Sequence, residues 1–492
     1  MSKAAVTSTR SSTWRQRLMR LMPWHRRLAL LACLGIFSWA SSGMLHPLMS
    51  FLQPRPAAMT PPQLALPMDN LLAPASVLAG SGIERVNGLR LMQLAGEPYY
   101  QARVDGDSHP RYWHARSGHE VDLLAAHTEA LARHYLGTDE RLRFAGLQTQ
   151  FSNEYAFINR LLPVARVDTQ RDNQLRLYLD PYHDRLGTLV DQRKAWFSGF
   201  FMTLHRFGWL EAAGPLRPLL MLLLLASILA ATLMGLGLFV ARKRHPGTLR
   251  RVHGWAGLGL ALATLSFASS GALHLLHKER ATPYPADFVA EFSVSDLASA
   301  PNPDWLLAGE SLHQLSLIML DDEPVWRVQG NQFGMMNSLH YLSASGQPMA
   351  DDTPLRYARE RLDFYAAQLG LAQGSSPVIQ QRFDHDYGFV FKRLPVFKGL
   401  YPDTANTALF IDPLDGALAA RVDDADRFEG WIFGYLHKWD FLSVWGNNVK
   451  HSVVGLAAFL HIVLAVFGIY LAFRPAVRRV ATLQPESEHA AD

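Results

Sequence analysis

Trp24–His46 reads WHRRLALLACLGIFSWASSGMLH, and the pattern returns 228 residues later as VHGWAGLGLALATLSFASSGALH, Val252–His274. Each copy is a long apolar stretch with a histidine near either end. In each, the closing histidine follows ASSG by three residues. A second set of matches runs at an offset of 232. FSNEY at Phe151 matches FDHDY at Phe383, and the LPV of Leu162–Val164 matches that of Leu394–Val396. LYLDP ending at Asp180-Pro181 matches LFIDP ending at Asp412-Pro413, and TLHRF around His205 matches YLHKW around His437. A fixed offset held across separate motifs reads as one unit written twice, a helix, a soluble segment and a second helix.

Composition agrees with spans of a bilayer. Charged residues are 18%, against about 25% in an ordinary soluble domain. About 20 apolar residues cross a hydrocarbon core, and four stretches qualify: 28–49, 218–240, 254–276 and 453–473. The first resembles a signal peptide in position, but its twin at 254–276 is internal and cannot be cleaved as one. Residues 1–27 carry seven Lys or Arg and no acid. The loop 241–253 holds Arg242, Lys243, Arg244, Arg250 and Arg251, and the tail 474–492 opens with Arg474, Arg478 and Arg479. These basic runs belong on the cytoplasmic side. The long segments 50–217 and 277–452 are net acidic and are expected outside. The pI of about 9.1 therefore reflects topology and does not point to nucleic acid, because the basic runs flank spans and lack interleaved aromatics.

Several chemistries are excluded. Cys33 is the one cysteine and sits inside the first span. The exported segments thus have no disulfide, and no cluster held by four thiolates can form. There is no CxxCH, no GxGxxG after a strand and no P-loop, so neither covalent haem nor a nucleotide site of those kinds is encoded. In the soluble segments GLRLMQL and PYYQARV alternate as strands, while VDLLAAHTEALARHYLG has helical spacing with Gly137 as its stop. NEYAFI, VARVDT and QLRLYLD read as further strands. The second segment repeats the order through SLIMLDD, PVWRVQG, a helix over RYARERLDFYAAQLG, and ALFID. The proline-rich stretch PRPAAMTPPQLALP reads as linker. The fold class expected is membrane α+β, with four transmembrane helices from a duplicated unit and two small exported α+β domains.

The histidines carry the candidate chemistry. His25 and His253 lie at the cytoplasmic ends of spans one and three, His46 and His274 at the outer ends. Twenty-one residues of helix cover about 31 Å, so one helix cannot clamp one haem with both of its histidines. Each needs a partner at its own depth, and the repeat pairs His25 with His253 and His46 with His274. His205 and His437 are a third matched pair, in aromatic stretches suited to the membrane interface, and could replace or supplement the outer pair. His461 stands alone in the middle of span four, with Leu229 at the matching position; its plain reading is a polar contact with a neighbouring helix. The histidines of the soluble segments, His127 among them, read as surface residues.

The helix-opening His25 and VHGW at His253, the SG near the outer ends, the LPV strand, the DP turn and the LH before the second helix of each unit together resemble the PepSY-associated transmembrane family of bacterial inner-membrane proteins. The resemblance covers about 450 residues. His25-Arg26-Arg27 departs from the family's HRWLG, and ASSGxLH is more elaborate than its TG. The resemblance implies two PepSY-like periplasmic domains, a cytoplasmic N- and C-terminus, and two haems b held by histidines from among His25, His46, His205, His253, His274, His437 and His461. It implies reduction of a ferric siderophore or another ferric chelate, with quinol or a cytoplasmic reductase as donor. No catalytic acid or base and no metal beyond haem iron is expected. Two rivals remain: a non-redox, membrane-anchored PepSY binding or regulatory protein, and a small transporter built around His461.

Overall fold

The computed structural model describes residues 14–241, 247–281, 283–302, 305, 310–332, 336–388, 391 and 393–473. The expectations placed on residues 1–13, on Arg242–Arg244 and on the tail from Arg474 lie outside these. The described helices are α1 (Met22–Leu52), α2 (Pro74–Ala79), α3 (Leu124–Leu136), α4 (Gln192–Leu204), α5 (Leu216–Ala241), α6 (Thr248–Glu279), α7 (Thr353–Leu369), α8 (Asp424–Ile432) and α9 (Asn447–Phe473). Four are long and apolar enough to cross a membrane: α1 (as part of Trp14–Leu52), α5, α6 and α9. They overrun the four predicted spans at both ends, save that α9 stops where predicted. In lipid a helix satisfies its own backbone polar groups, which is why such sequences stay helical.

The chain divides into two compact units. One comprises Met1–Pro47, Thr203–Glu279 and Phe433–Asp492, and so holds the four long helices. Its packing relies on small residues, which let helix backbones approach. Ala32 of α1, Ala231 of α5 and Ala268 of α6 pack with Leu225 and Ile228. A Cβ on Gly35 would fall 2.8 Å from the Trp39 ring and 3.2 Å from Ile228, so only glycine lets α1 and α5 close there. On the other side of α1, the Arg26 guanidinium donates to Ala472 O of α9.

The other unit comprises Leu48–Met202 and Arg280–Ile432. Here the structure departs from the expectation of two separate small domains. Strands β2 (Gly88–Leu94), β3 (Glu97–Arg103), β4 (Arg111–His114) and β5 (Glu120–Val121) of the first segment join β11 (Glu310–Leu320), β12 (Glu323–Gln332) and β13 (Met336–Ser343) of the second. They form one seven-stranded sheet, ordered β13-β12-β11-β2-β3-β4-β5. The seam is antiparallel and short, pairing Leu315 with Leu91 and Ser316 with Arg90. It gives a partner to two strands that would otherwise be bare edges. A two-stranded pair, β1 (Arg85–Val86) with β10 (Phe292–Ser293), crosses between the segments again, and one buried core draws on both.

Each segment also folds a four-stranded meander under a helix. The first is β6 (Leu142–Gln148), β7 (Val164–Thr169), β8 (Arg176–Asp180) and β9 (Arg185–Val190), with α3. The second is β14 (Val378–Gln380), β15 (Val396–Tyr401), β16 (Thr407–Ile411) and β17 (Leu418–Val422), with α7. Gly137 and Gly370 end the two helices at φ 60° and 66°, a conformation open to glycine. NEYAFI, expected as a strand, is instead a turn and a 3₁₀ segment, Phe157–Asn159. Its Tyr155 hydroxyl donates to Leu161 O and its ring stacks on Tyr178, a packing role that alternation could not show. Tyr387 likewise donates to Arg393 O, and its ring stacks on Phe391. Cis peptide bonds follow at Leu162-Pro163 and Leu394-Pro395. The proline-rich stretch is irregular but docked, with Leu66 buried and the Ala57 amide donating to Tyr135 O.

Candidate functional site

The helical unit gathers its histidines at two levels. At one level, His253 of α6 lies within electrostatic reach of His25 of α1. His25 Nδ1 is 2.9 Å from Ala231 O of α5. A carbonyl only accepts, so Nδ1 carries the proton and Nε2 the lone pair. His253 Nδ1 is buried and has no hydrogen-bond partner among the described residues. Gly235 and Gly468 face these rings: a Cβ on Gly235 would stand 3.2 Å from His25 Cε1, and one on Gly468 3.4 Å from His253 Cε1.

At the other level the facing couple is His205 with His437. Their ring centroids are 6.2 Å apart and their planes stand at 88°. His46 and His274 also lie within electrostatic reach of His205. His205 and His437 are the matched pair that the sequence offered to replace or supplement the outer one. His274 stacks on Phe433 at 4.3 Å, and Phe433 on His437 at 4.7 Å, so the His274 ring packs in an aromatic pile beside the couple. His46 is exposed, near His451 and Lys438.

The chain is folded to bring His205 and His437 in. His205 follows α4 directly, and His437 closes a π turn, Phe433–His437. Two residues beyond each, Phe207 (φ 52°) and Trp439 (φ 54°) take left-handed backbone and reverse the path. The first segment is pinned to α1 by Trp39 Nε1, which donates to His205 O at 3.0 Å. The second is pinned to α6 by Ser266 Oγ, which donates to Leu436 O at 2.5 Å, and by Phe267 stacked on Trp439 at 4.9 Å. The imidazoles themselves meet serines: His205 Nδ1 is 3.0 Å from Ser42 Oγ, and His437 Nδ1 is 3.1 Å from Ser270 Oγ. Both residues belong to the helical unit.

His461 is buried in α9 with both nitrogens engaged, Nδ1 at 2.7 Å from Ala457 O and Nε2 at 2.8 Å from Thr264 Oγ1 of α6. That is the polar contact of the plain reading. Its ring is 6.1 Å from Phe267, which is 6.0 Å from His437. Among the described residues no group of three or more His, Cys, Asp or Glu is placed to hold a bare metal ion. Couples of two imidazoles suit an iron whose other ligands come from a macrocycle.

The soluble unit has its own polar centre, where the DPYHDR and DPLDGA turns meet. Asp184 accepts from Arg90 through both oxygens at 2.7 Å and takes His127 Nε2 at 2.9 Å. Burial alone would raise this carboxyl, but Arg90 and His127 hold it well below the usual range. Burial likewise opposes ionisation of Asp180, yet His183, Arg185 and the Tyr182 amide keep it at about 2. Asp412, fully buried, is held down by Arg185 at 2.5 and 3.1 Å and by Arg393 at 3.5 Å. His127, expected on the surface, is 3% exposed and bonded on both sides, with Tyr112 at Nδ1. A cleft of about 460 Å³ opens beside this centre, lined by Arg90, Arg103, Tyr182, Asp287, Ser316 and Arg393 among others. Burial raises the Asp287 carboxyl, and Arg393 pulls it partly back. No protein-family model matches the chain, and no curated protein matches it.

Proposed function

We propose that this chain is a b-type haem protein that conducts electrons across a bacterial inner membrane and reduces a ferric chelate, such as a ferric siderophore, on the periplasmic side. The observation that carries the reading is the His205–His437 couple. Two imidazoles that share one metal, at metal–nitrogen bonds of about 2.0 Å, would have ring centroids up to about 6.3 Å apart. The two rings stand at 6.2 Å and 88°. His25 and His253 are the second couple, with the unpartnered Nδ1 of His253 and the bare Gly235 and Gly468 faces beside them. Ser42 lies 17 residues past His25 on α1, about 25 Å along the helix, so the couples occupy opposite leaflets.

Haem iron, when bound, supplies one-electron exchange between ferrous and ferric states. The chain's part is to fix the imidazoles, keep water from the couples, and carry edges of aromatic rings between them. Phe267 touches both His437 and His461, and Phe467 touches His253. Quinol or a cytoplasmic reductase supplies the electron. The soluble cleft has a volume within the range of small-ligand sites and mixes arginines with aromatic rings, which suits an oxygen-rich chelate. Delivery of an electron weakens such a chelate, because oxygen donors hold the ferric ion harder than the ferrous. The matched histidines, serines and turns of the two halves are the product of an internal duplication, on the pattern of PepSY-associated transmembrane proteins.

The test is a haem count. Protein made with ample haem should show a dithionite-reducible b-type spectrum with two haems per chain. His205→Ala and His437→Ala should each remove one haem, and His25→Ala or His253→Ala the other. Colourless wild-type protein overturns the proposal.

A further inference from the structure

The repeated ASSG is more than the close helix packing that small residues permit. Its two serines do different things. The first, Ser41 or Ser269, donates to the carbonyl four residues back, Phe37 O or Leu265 O, and meets no imidazole in these bonds. The second, Ser42 or Ser270, makes the same kind of bond, to Ser38 O or Ser266 O, at 2.7 Å each. It also lies against a histidine, His205 or His437. A hydroxyl has one proton. With that proton on the helix carbonyl, the serine oxygen faces the imidazole as an acceptor, Nδ1 carries the ring proton and Nε2 keeps the lone pair. Ser42 is 1% exposed and Ser270 0% exposed, so no water competes for the bond. The glycine that follows lies against the ring in the second copy, where a Cβ on Gly271 would stand in ordinary contact, 3.7 Å from His437 Cε1.

We propose that Ser42 and Ser270 are positioning residues of the His205–His437 couple: each holds the Nδ1–H of its histidine, fixes the tautomer that can ligate through Nε2, and sets the rotation of the ring. This rests on the haem reading above. A hydrogen bond at the outer nitrogen makes a ligating imidazole more basic, and its loss typically weakens metal binding 10–100-fold. A more basic ligand favours ferric over ferrous iron, so removing the serine oxygen raises the midpoint potential. A tenfold loss of ferric over ferrous preference is about 59 mV for one electron.

The experiment compares full-length wild type with Ser42→Ala, Ser270→Ala, Ser42→Thr, Ser270→Thr, Ser41→Ala and Ser269→Ala. Haem content, midpoint potentials by redox titration and the ferric electron paramagnetic resonance spectrum are read for each. The proposal expects an upward shift of one potential by roughly one decade, or loss of one haem, in each alanine variant of Ser42 and Ser270. The resonance of that haem should change with it, because the ring is free to rotate. Threonine should restore both readings, and the Ser41 and Ser269 variants should match wild type. Full haem with unchanged potential and resonance in Ser42→Ala and Ser270→Ala overturns the positioning role and leaves the haem reading standing. Threonine variants that behave like the alanine ones overturn it too. Colourless wild type sinks the haem reading itself.

Discussion

Asp412→Asn should cost the soluble unit a large share of its stability. Asp412 is 0% exposed and receives two bonds from Arg185, at 2.5 and 3.1 Å, with Arg393 at 3.5 Å. Asparagine keeps the volume and can still accept from the Leu414 amide, which now donates to Asp412 Oδ1 at 3.0 Å. What it removes is the charge that balances two guanidinium groups, of which Arg185 is 14% exposed in its side chain and Arg393 17%. Two charge-assisted bonds at about 1.5–3 kcal/mol each and the usual cost of breaking a buried pair, about 3–5 kcal/mol, agree in size. At roughly 2–4 °C per kcal/mol for domains of 150–250 residues, with the lower end suited to a larger unit, the melting temperature should fall on the order of 6–10 °C. Intrinsic tryptophan fluorescence on heating, in detergent, measures it. Asp322→Asn, at an exposed turn with φ 60°, is the control and should not move. An Asp412→Asn protein that melts within about a degree of wild type refutes the view that this carboxylate ties the two segments together.

Two further outcomes follow from the same physics. Asp180 is held at about 2 against an ordinary 3.8. Between those values the unfolded chain is protonated and the folded one is not, so its contribution is complete above pH 4 and is lost as pH falls towards 2. One such carboxylate is worth about 2 kcal/mol, and acid titration of the fluorescence transition should show the decline in that window, a flat profile from pH 5 to 2 being the contrary result. In the helical unit, Thr264→Ile should destabilise more than His461→Leu. It leaves the buried His461 Nε2 unpaired, at about 1–3 kcal/mol, whereas Thr264 keeps its bond to Leu260 O. The double variant, which installs the Leu229 and Ile36 of the matching positions, should recover the loss and keep the full haem count. Loss of a haem in His461→Leu would make His461 a ligand after all.

Much of the helical unit was legible because lipid simplifies the code. Apolar length marks four spans, and a repeated histidine marks where chemistry sits. Which outer histidines face each other was left open, with both His46–His274 and His205–His437 on offer. Distance along one helix says nothing of a ring carried in by a separate segment, and His205 enters through a left-handed turn at Phe207 that no periodicity announces. The serines were visible only as a repeated ASSG, since a hydroxyl's second role appears only once its imidazole partner is in place. In the soluble unit the strands of PYYQARV, VARVDT and ALFID and both glycine-stopped helices follow their patterns. The shared sheet does not, because two strands that belong to different segments meet through a seam of two residue pairs. His127 was misjudged for the same kind of reason: its burial is created by Asp184, which is 57 residues away.

That seam carries a consequence for how the chain can be taken apart. By the 232-residue offset, Arg185 corresponds to Ala417 and His183 to Asp415, whereas Asp180 and Asp412 are alike. Each segment has kept what the other lacks. Cut at the loop between α5 and α6, neither product could be made whole by doubling itself. Two copies of the first would lack the carboxylate of Asp415 and the guanidinium of Arg393, and two copies of the second the guanidinium of Arg185. The protein has two similar halves that can no longer stand in for each other, so co-expressed fragments should assemble only as the unlike pair.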